Sequence, residues 1–280
     1  MKSGIELIND IDNCVLEPGN IAFWWLGQLG YVLKIGEIVI YLDVFLDAEF
    51  PNRNIPPLLK PEEIKNADFI IGTHDHDDHI DRKVWHKLSL SSPNAKFIVP
   101  KLLIANLSDS LNIPRNRFIG LDDGISISEK TLKITGIPSA HEFLDQDPNS
   151  GCYPYLGYVI EGNGCTLYHS GDTCLYEGFY SKLRKWNKFD VMFLPINGRD
   201  AKRYRENLIG NITYQEAVDL AGSIKPRLVV PGHYEMFSDN SEDPSLFADY
   251  IEAKYPDINY WIGEHGEMVN VSNYIKRKNL

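Results

Sequence analysis

The run Thr73-His74-Asp75-His76-Asp77-Asp78-His79-Ile80-Asp81 places four metal-binding side chains, His74, His76, Asp78 and His79, within six residues. Imidazole nitrogens and carboxylate oxygens are ordinary ligands of zinc, manganese and iron. In extended backbone, residues two apart point to the same side, so His74 and His76 can reach one ion. A chain that then turns towards a helix redirects Asp78 and His79 to a second. Asp75, between two ligands, is a candidate hydrogen-bond partner of a ligating imidazole, and equally a solvent-facing turn residue.

More ligands come from one regularity. His141, Asp172 and His233 each sit a few residues beyond the end of an expected strand, as His74 does. In layered α/β architectures such strand ends converge on one edge, where ligand sites form. The pattern predicts one ion held by His74, His76 and His141, a second held by Asp78, His79 and His233, and Asp172 bridging them. A carboxylate suits bridging because each oxygen can hold one ion and its charge offsets two divalent cations. Two such ions lower the pKa of a bound water towards about 7, so a metal-bridged hydroxide can attack a carbonyl or phosphoryl centre without a serine or cysteine nucleophile. Asp78 is the expected catalytic residue, orienting that hydroxide or carrying a proton to the leaving group.

The segment from Asn197 to Arg205 follows another expected strand and holds four cations, Arg199, Lys202, Arg203 and Arg205, within seven residues. Guanidinium forks suit bidentate oxyanion recognition, so Arg199, with Arg203 or Arg205, is expected to bind a phosphate or carboxylate of a small anionic substrate. A solvated basic loop or a subunit contact is the competing reading. Of the remaining histidines, His169 is expected to pack at a strand end, His265 to lie in the turn Gly263-Glu264-His265-Gly266, and His86 to be structural within a helix.

These residues need elements to position them. Apolar or β-branched runs at 22–26, 31–35 and 38–43, punctuated by Gly27, Gly30 and Gly36, read as a β meander. A proline-rich loop at 51–61 follows, then a short buried strand at 69–72, helical patterns at 83–90 and 101–111, and a strand at 96–99 between them. The second half has strands expected at 125–128, 132–137, 155–161, 165–169, 190–194 and 227–230. Its clearest helix begins at Thr213, where Thr213 and Glu216 have capping-box spacing before Ala217, Leu220 and Ala221. No low-complexity linker or short repeat divides the chain, so residues 1–280 read as one α/β domain.

Composition narrows the function classes. A chain of 280 residues with 43% hydrophobic content can bury a sizeable core. No apolar run approaches the roughly 20 residues of a membrane span, and the N-terminus lacks the order of a secretory signal, so no membrane partner and a cytoplasmic location are expected. The four cysteines show no C-x-x-C spacing and read as free thiols. A net charge of −11 disfavours extended nucleic acid as a partner. A small anion stays possible, because two divalent ions dominate the potential inside a cleft.

The segments His-x-His-x-Asp-His at His74 to His79, Ser139-Ala140-His141, Ser170-Gly171-Asp172 and Pro231-Gly232-His233 resemble the successive motifs of the metallo-β-lactamase fold superfamily. More narrowly, Phe23-Trp24-Trp25-Leu26-Gly27, Thr73-His74-Asp75-His76 and Leu167-Tyr168-His169-Ser170-Gly171-Asp172 resemble its L-ascorbate-6-phosphate lactonase branch. The chain differs from that branch in having no long insertion before the histidine motif and no extended C-terminal tail. The resemblance implies a four-layer αβ/βα sandwich with two metal ions, Mn2+ or Zn2+, at one edge of the sheets, and a homo-oligomer. It also implies hydrolysis of a small sugar-derived lactone such as L-ascorbate 6-phosphate, with a small phosphodiester or phospholipid as the alternative substrate. A non-hydrolytic metal-binding or di-iron redox protein is the alternative of another class. The redox branch would carry a carboxylate in place of His76.

Overall fold

The computed structural model describes residues 1–278. Among these residues thirteen strands form two sheets. In chain order they are β1 (Ile21–Gly27), β2 (Gly30–Ile35), β3 (Ile38–Leu42), β4 (Phe69–Ile71), β5 (Lys96–Pro100), β6 (Phe118–Leu121), β7 (Ser126–Glu129), β8 (Leu132–Pro138), β9 (Leu156–Gly162), β10 (Cys165–His169), β11 (Val191–Pro195), β12 (Val229–Gly232) and β13 (Met268–Asn270). The first sheet has the order β13-β1-β2-β3-β4-β5-β6 and the second β12-β11-β10-β9-β8-β7. Eight helices accompany them among the described residues: α1 (Gly4–Asp12), α2 (Trp85–Ser91), α3 (Ile104–Leu111), α4 (Phe179–Leu183), α5 (Ala201–Arg205), α6 (Tyr214–Ile224), α7 (Pro244–Lys254) and α8 (Val271–Lys278).

Strand β1 shows why both faces of the first sheet are covered. Its side chains alternate: Ile21, Phe23 and Trp25 join the core between the sheets, while Ala22, Trp24 and Leu26 join the core beneath α1, α2 and α3. On the inner side, Phe23 meets Phe193 of β11 edge to face at 5.3 Å, and Tyr31 of β2 lies 4.2 Å from the same ring. These contacts pin one sheet to the other. On the far side, Ala217, Leu220 and Ala221 of α6 are buried, and α6 touches β11, β12, α4 and α7. The layering is therefore the αβ/βα sandwich that the sequence led us to expect. The one lysine within β2, Lys34, is buried, and its Nζ donates to the Ile11 and Asp12 carbonyls at the C-terminal end of α1, where unpaired carbonyls favour a cation.

Strand direction decides where the site lies. From β3 through β6 the pairing is parallel. In the second sheet β8 and β10 each run antiparallel to β9, and β10, β11 and β12 are parallel, so β8, β10, β11 and β12 share one direction. The loops that leave these strands at their C-terminal ends carry the sequence motifs.

The expected strands appear with small shifts, the largest at the end of the series, where 227–230 becomes Val229–Gly232. The helical pattern at 101–111 starts as a 3-10 turn at Lys101–Leu103, after Pro100, before α3. The sequence reading did not pick out strands β6 and β13 or helices α1, α4, α5, α7 and α8, although Ser3 and Glu6 ahead of Leu7, Ile8 and Ile11, and Asp243-Pro244 at the start of α7, have helix-start spacing. The two strands are only four and three residues long, and β13 is held by its pairing with β1. All four cysteines are free. No helix among the described residues is long and apolar enough to cross a membrane.

The capping box at Thr213 is present in full: Glu216 N donates to Thr213 Oγ1 at 3.3 Å, and Thr213 N donates to Glu216 Oε2 at 2.9 Å. Thr213→Ala should therefore lower the unfolding free energy by about 1 kcal/mol in denaturant melts, and Thr213→Ser by much less.

Candidate metal centre

The chain enters the site along β4. Beyond Ile71 it runs through Gly72 and Thr73, and the turn 74–79 is closed by hydrogen bonds from the His79 and Ile80 amides to the His76 carbonyl. His74 and His79 turn inward and are buried, His76 is exposed, and Asp78 is partly exposed. His141 lies beyond β8, Asp172 beyond β10 and His233 directly beyond β12. Hydrogen bonds lock these loops together: Ser139 Oγ donates to the Ser170 carbonyl, Ala140 N to Thr173 Oγ1, Cys174 N to the Ala140 carbonyl and His233 N to the Gln28 carbonyl. Gly171 has φ +58°, and a Cβ there would lie 2.9 Å from Thr73 Cβ, so the loop bearing Asp172 can approach the loop bearing His74 only with glycine at this position.

All seven residues expected from the sequence meet. The ligand atoms of His74, His76 and His141 lie within 4.8 Å of one another, as do those of Asp78, His79 and His233, and those of His74, His79 and Asp172. Asp172 stands between the groups: its Oδ1 is 3.4 Å from His79 Nε2, and its Oδ2 is 3.2 Å from His233 Nε2 and 3.7 Å from His141 Nε2. The donor set fits metal ions. His74 Nε2 and His76 Nδ1 are 3.1 Å apart, close to the roughly 3.3 Å separating two nitrogens that share a tetrahedral ion at about 2.0–2.1 Å. His79 Nε2 and Asp172 Oδ1 are buried with no hydrogen-bond partner, an arrangement that is costly unless something else satisfies them.

Behind the ligands stands a residue the sequence reading missed. Asp43, one residue past β3, is fully buried in the left-handed conformation (φ +49°). Its Oδ1 accepts from Thr73 N at 2.8 Å, and its Oδ2 accepts from Thr73 Oγ1 and from His79 Nδ1, both at 2.7 Å. Donation from Nδ1 would leave His79 Nε2 free to give its lone pair to an ion, once its proton is displaced. The available signal was a lone carboxylate inside the apolar run 38–46. Gln28 was missed too; its Nε2 donates to Asp78 Oδ2 at 3.0 Å.

Most of the other residues singled out in the sequence are engaged by partners within the protein. Asp75 does not support a ligand, because its carboxylate is held by Arg82 at 2.8 and 2.6 Å. The structure does not bring Arg199, Arg203 and Arg205 to the metal cluster. The Arg199 fork is engaged by Glu216 at 2.6 and 2.8 Å, and Arg203 is taken up by Asp200 and the Asn197 carbonyl, because helix α6 and the cap of α5 supply the nearest acceptors. Arg205 lies exposed in the last turn of α5. His169 bridges Leu29 and Gly171 in the core, His265 stacks on Trp25 at 4.0 Å, and His86 bonds the Leu111 carbonyl, all structural roles.

Electrostatics divide the ligands in two. Burial disfavours charge on His79, yet Asp172, Asp78 and Asp43 outweigh it and hold the imidazole well above its ordinary range. His233 is raised in the same way against its burial, by Asp172 and then Asp78. Asp172 is held well below the carboxylate range despite its burial, by His233 and His79, and Asp78 is lowered by His79 and His233. His74 is pushed well below the ordinary range by burial and by His79, and burial takes His141 down to about 4. Protons on His79 and His233 therefore stand where metal charge would, while His74 and His141 offer free lone pairs.

A raised imidazole stabilises the fold fully below its unfolded pKa of about 6.5 and loses that contribution as pH rises through its folded value. The metal-free protein should accordingly lose Tm above pH ~6.5, while the Tm gain on adding Zn2+ or Mn2+ grows over the same range, with protons released in titration calorimetry. Asp43→Asn should weaken metal binding roughly 10–100-fold in the same titration.

The profile of the beta-lactamase superfamily domain matches residues 39–234, a span that contains all seven clustered residues and Asp43. A UPF0173 metal-dependent hydrolase of Archaeoglobus fulgidus is 29% identical over 87% of this chain and 96% of its own length. A protein of Escherichia fergusonii named as a probable L-ascorbate-6-phosphate lactonase is 25% identical over 92% of this chain and 81% of its own. Among solved structures, the metallo hydrolase Igni18 of Ignicoccus hospitalis shares the fold, with a TM-score of 0.70 at 22% identity, covering 90% of this chain and 98% of that one. With its two sheets, its edge site and these matches taken together, the chain belongs to the beta-lactamase superfamily, as a metal-dependent hydrolase of the metallo-β-lactamase fold.

Proposed function

We propose that the chain opens a small cyclic ester, a lactone, at a pair of divalent ions. The observation that carries this reading is the two ligand groups, His74 with His76 and His141 and Asp78 with His79 and His233, with Asp172 facing His141 of one at 3.7 Å and His79 and His233 of the other at 3.4 and 3.2 Å. His74, His76 and His141 would hold one ion, Asp78, His79 and His233 the other, and Asp172 both. Zn2+ and Mn2+ each suit such nitrogen and oxygen ligands. When bound, the ions polarise the substrate carbonyl and lower the pKa of the attacking water.

The remaining chemistry falls to the chain. Gln28 fixes Asp78 through Oδ2, which leaves Oδ1 unclaimed by Gln28. That oxygen takes the proton from the attacking water as the oxygen bonds to the carbonyl carbon. The ring C–O bond then breaks, and the proton passes to the departing alkoxide, giving a hydroxy acid. Asp43, through His79, and the linked loops at Ser139 and Ala140 keep the ligands in place during this exchange. Similarity to proteins named as lactonases supports a carbonyl rather than a phosphoryl centre.

The test is a panel of lactones, including L-ascorbate 6-phosphate, and small phosphodiesters, assayed on protein of known metal content. Lactone turnover that vanishes on chelation and returns with Mn2+ or Zn2+ is expected; turnover confined to phosphodiesters overturns the reading. Asp78→Asn should reduce kcat by roughly 100-fold or more while the ions at His74, His76 and His141 remain bound. Near-normal kcat in the fully metallated variant would remove Asp78 from the proton path.

A further inference from the structure

Beside Asp78 the surface dips into a pocket of about 230 Å³. Phe50, Pro51 and Asn52 reach it from the loop after β3, Leu208 from the segment after α5, and Phe237, Asp239 and Asn240 from the loop after β12. Phe50 and Phe237 lie 5.7 Å apart at 61°, and buried Phe45 backs both, at 5.1 and 6.2 Å. Interlocked rings of this kind form a stiff apolar wall.

The wall is braced from two sides. Asn54 donates from N to the Met236 carbonyl and from Nδ2 to the Glu235 carbonyl and Ser238 Oγ, tying the first loop to the last. Asn211 Nδ2 donates to Asn197 Oδ1 at 3.0 Å, and Asn197 Nδ2 donates to Asn240 Oδ1 at 2.8 Å, so a row of asparagines ends at the pocket lining. Arg203 Nη1 donates to the Asn197 carbonyl at 2.6 Å and to Asn240 Oδ1 at 3.4 Å, so its guanidinium stands behind the Asn240 side chain and is not among the lining residues.

The pocket's own side chains offer an anion no cation, and Asp239 opposes one, while the charge of Asp78 would be offset by the ion held there. Among the described residues no lysine or arginine lines the pocket, whereas Asp78 and Asp239 do. Arg53 sits behind the wall, its guanidinium 4.4 Å over the Phe45 ring, with Nε and Nη1 donating to the Ile55 and Asp47 carbonyls. The adjoining cleft that shares Leu208 and Asp239 contains Lys202 and Arg203 against Asp200, Glu206, Asp239 and Glu242. A phosphate dianion seated in the pocket would lose water, gain no fork or ammonium, and face Asp239. The volume exceeds the roughly 150 Å³ that accommodates benzene, so one ring-sized group fits with little to spare.

We propose that this pocket receives an uncharged, apolar, ring-sized part of the substrate, an aryl or short alkyl group next to the ester opened at Asp78, and that this part carries no phosphate. The inference rests on the lactonase reading for its chemistry, but not for its binding.

The experiment uses metal-loaded protein and three lactones: γ-butyrolactone, its γ-phenyl derivative, and the γ-phenyl derivative bearing a para-phosphate. The neutral phenyl lactone is expected to have a kcat/KM at least ~10-fold above the phosphorylated one. Phe237→Ala should raise its KM by about 10-fold with little change in kcat, and a Tm and metal content equal to those of the parent protein show that the variant is folded. Asp239→Lys should narrow the gap between the neutral and phosphorylated pair. Saturation-transfer NMR with benzyl alcohol reads the pocket independently of turnover, and its signal should fall in Phe237→Ala. Preference for the phosphorylated lactone, or a phenyl lactone KM and a benzyl alcohol signal that ignore Phe237, overturns the proposal. Benzyl alcohol bound at Phe237 with no lactone hydrolysed supports the pocket and overturns the lactonase reading alone.

Discussion

The Asp172 carboxylate is 4% exposed, and the imidazoles of His79, His141 and His233 face it at 3.4, 3.7 and 3.2 Å. A carboxylate taken out of water costs several kcal/mol unless positive charge compensates it. Here compensation comes from protonated imidazoles or from metal ions, and these occupy the same space. Everything that brings His74, His141 and His233 to Asp172 is subject to that balance. The loops at the sheet edge are consequently bound to each other by backbone and hydroxyl hydrogen bonds rather than left to solvent.

The fold supplies this edge through strand direction. Because β4, β8, β10 and β12 end together, four loops from distant parts of the chain need only one to three residues each to reach the centre. The two sheets are held in register by the Phe23, Tyr31 and Phe193 rings between them. Asp43 adds a second layer of control, converting the end of β3 into an acceptor that sets the orientation of His79 and the position of Thr73.

Reactivity and selectivity occupy different parts of the molecule. The ligand cluster is polar, tightly hydrogen-bonded and mostly buried, whereas the neighbouring pocket is walled by phenylalanines on long loops. Loops outside the cluster can change without disturbing the ions, which is how one fold can serve several substrates. Two arginines after β11 hydrogen-bond within the scaffold: Arg199 to Glu216 of the α6 capping box, and Arg203 to the Asn197 carbonyl.

The local sequence was enough to pick out the seven residues that the fold brings together. The density of His and Asp at 74–79, and the position of His141, Asp172 and His233 after apolar runs, are short-range patterns that survive without knowledge of neighbours. The capping box at Thr213 and Glu216 is legible for the same reason. Partnerships between remote segments were not legible. Asp43 looks like the end of a strand until β3 and β4 pair and bring it to Thr73, 30 residues away. Arg199 looks like an oxyanion fork until α6 folds back and Glu216, 17 residues on, fills it. Asp75 is likewise claimed by Arg82 from the turn before α2. Chain sequence determines which groups can ligate, because ligation depends on residue type; tertiary structure decides which charged groups remain free, because a charge is satisfied by whatever lies nearest in space.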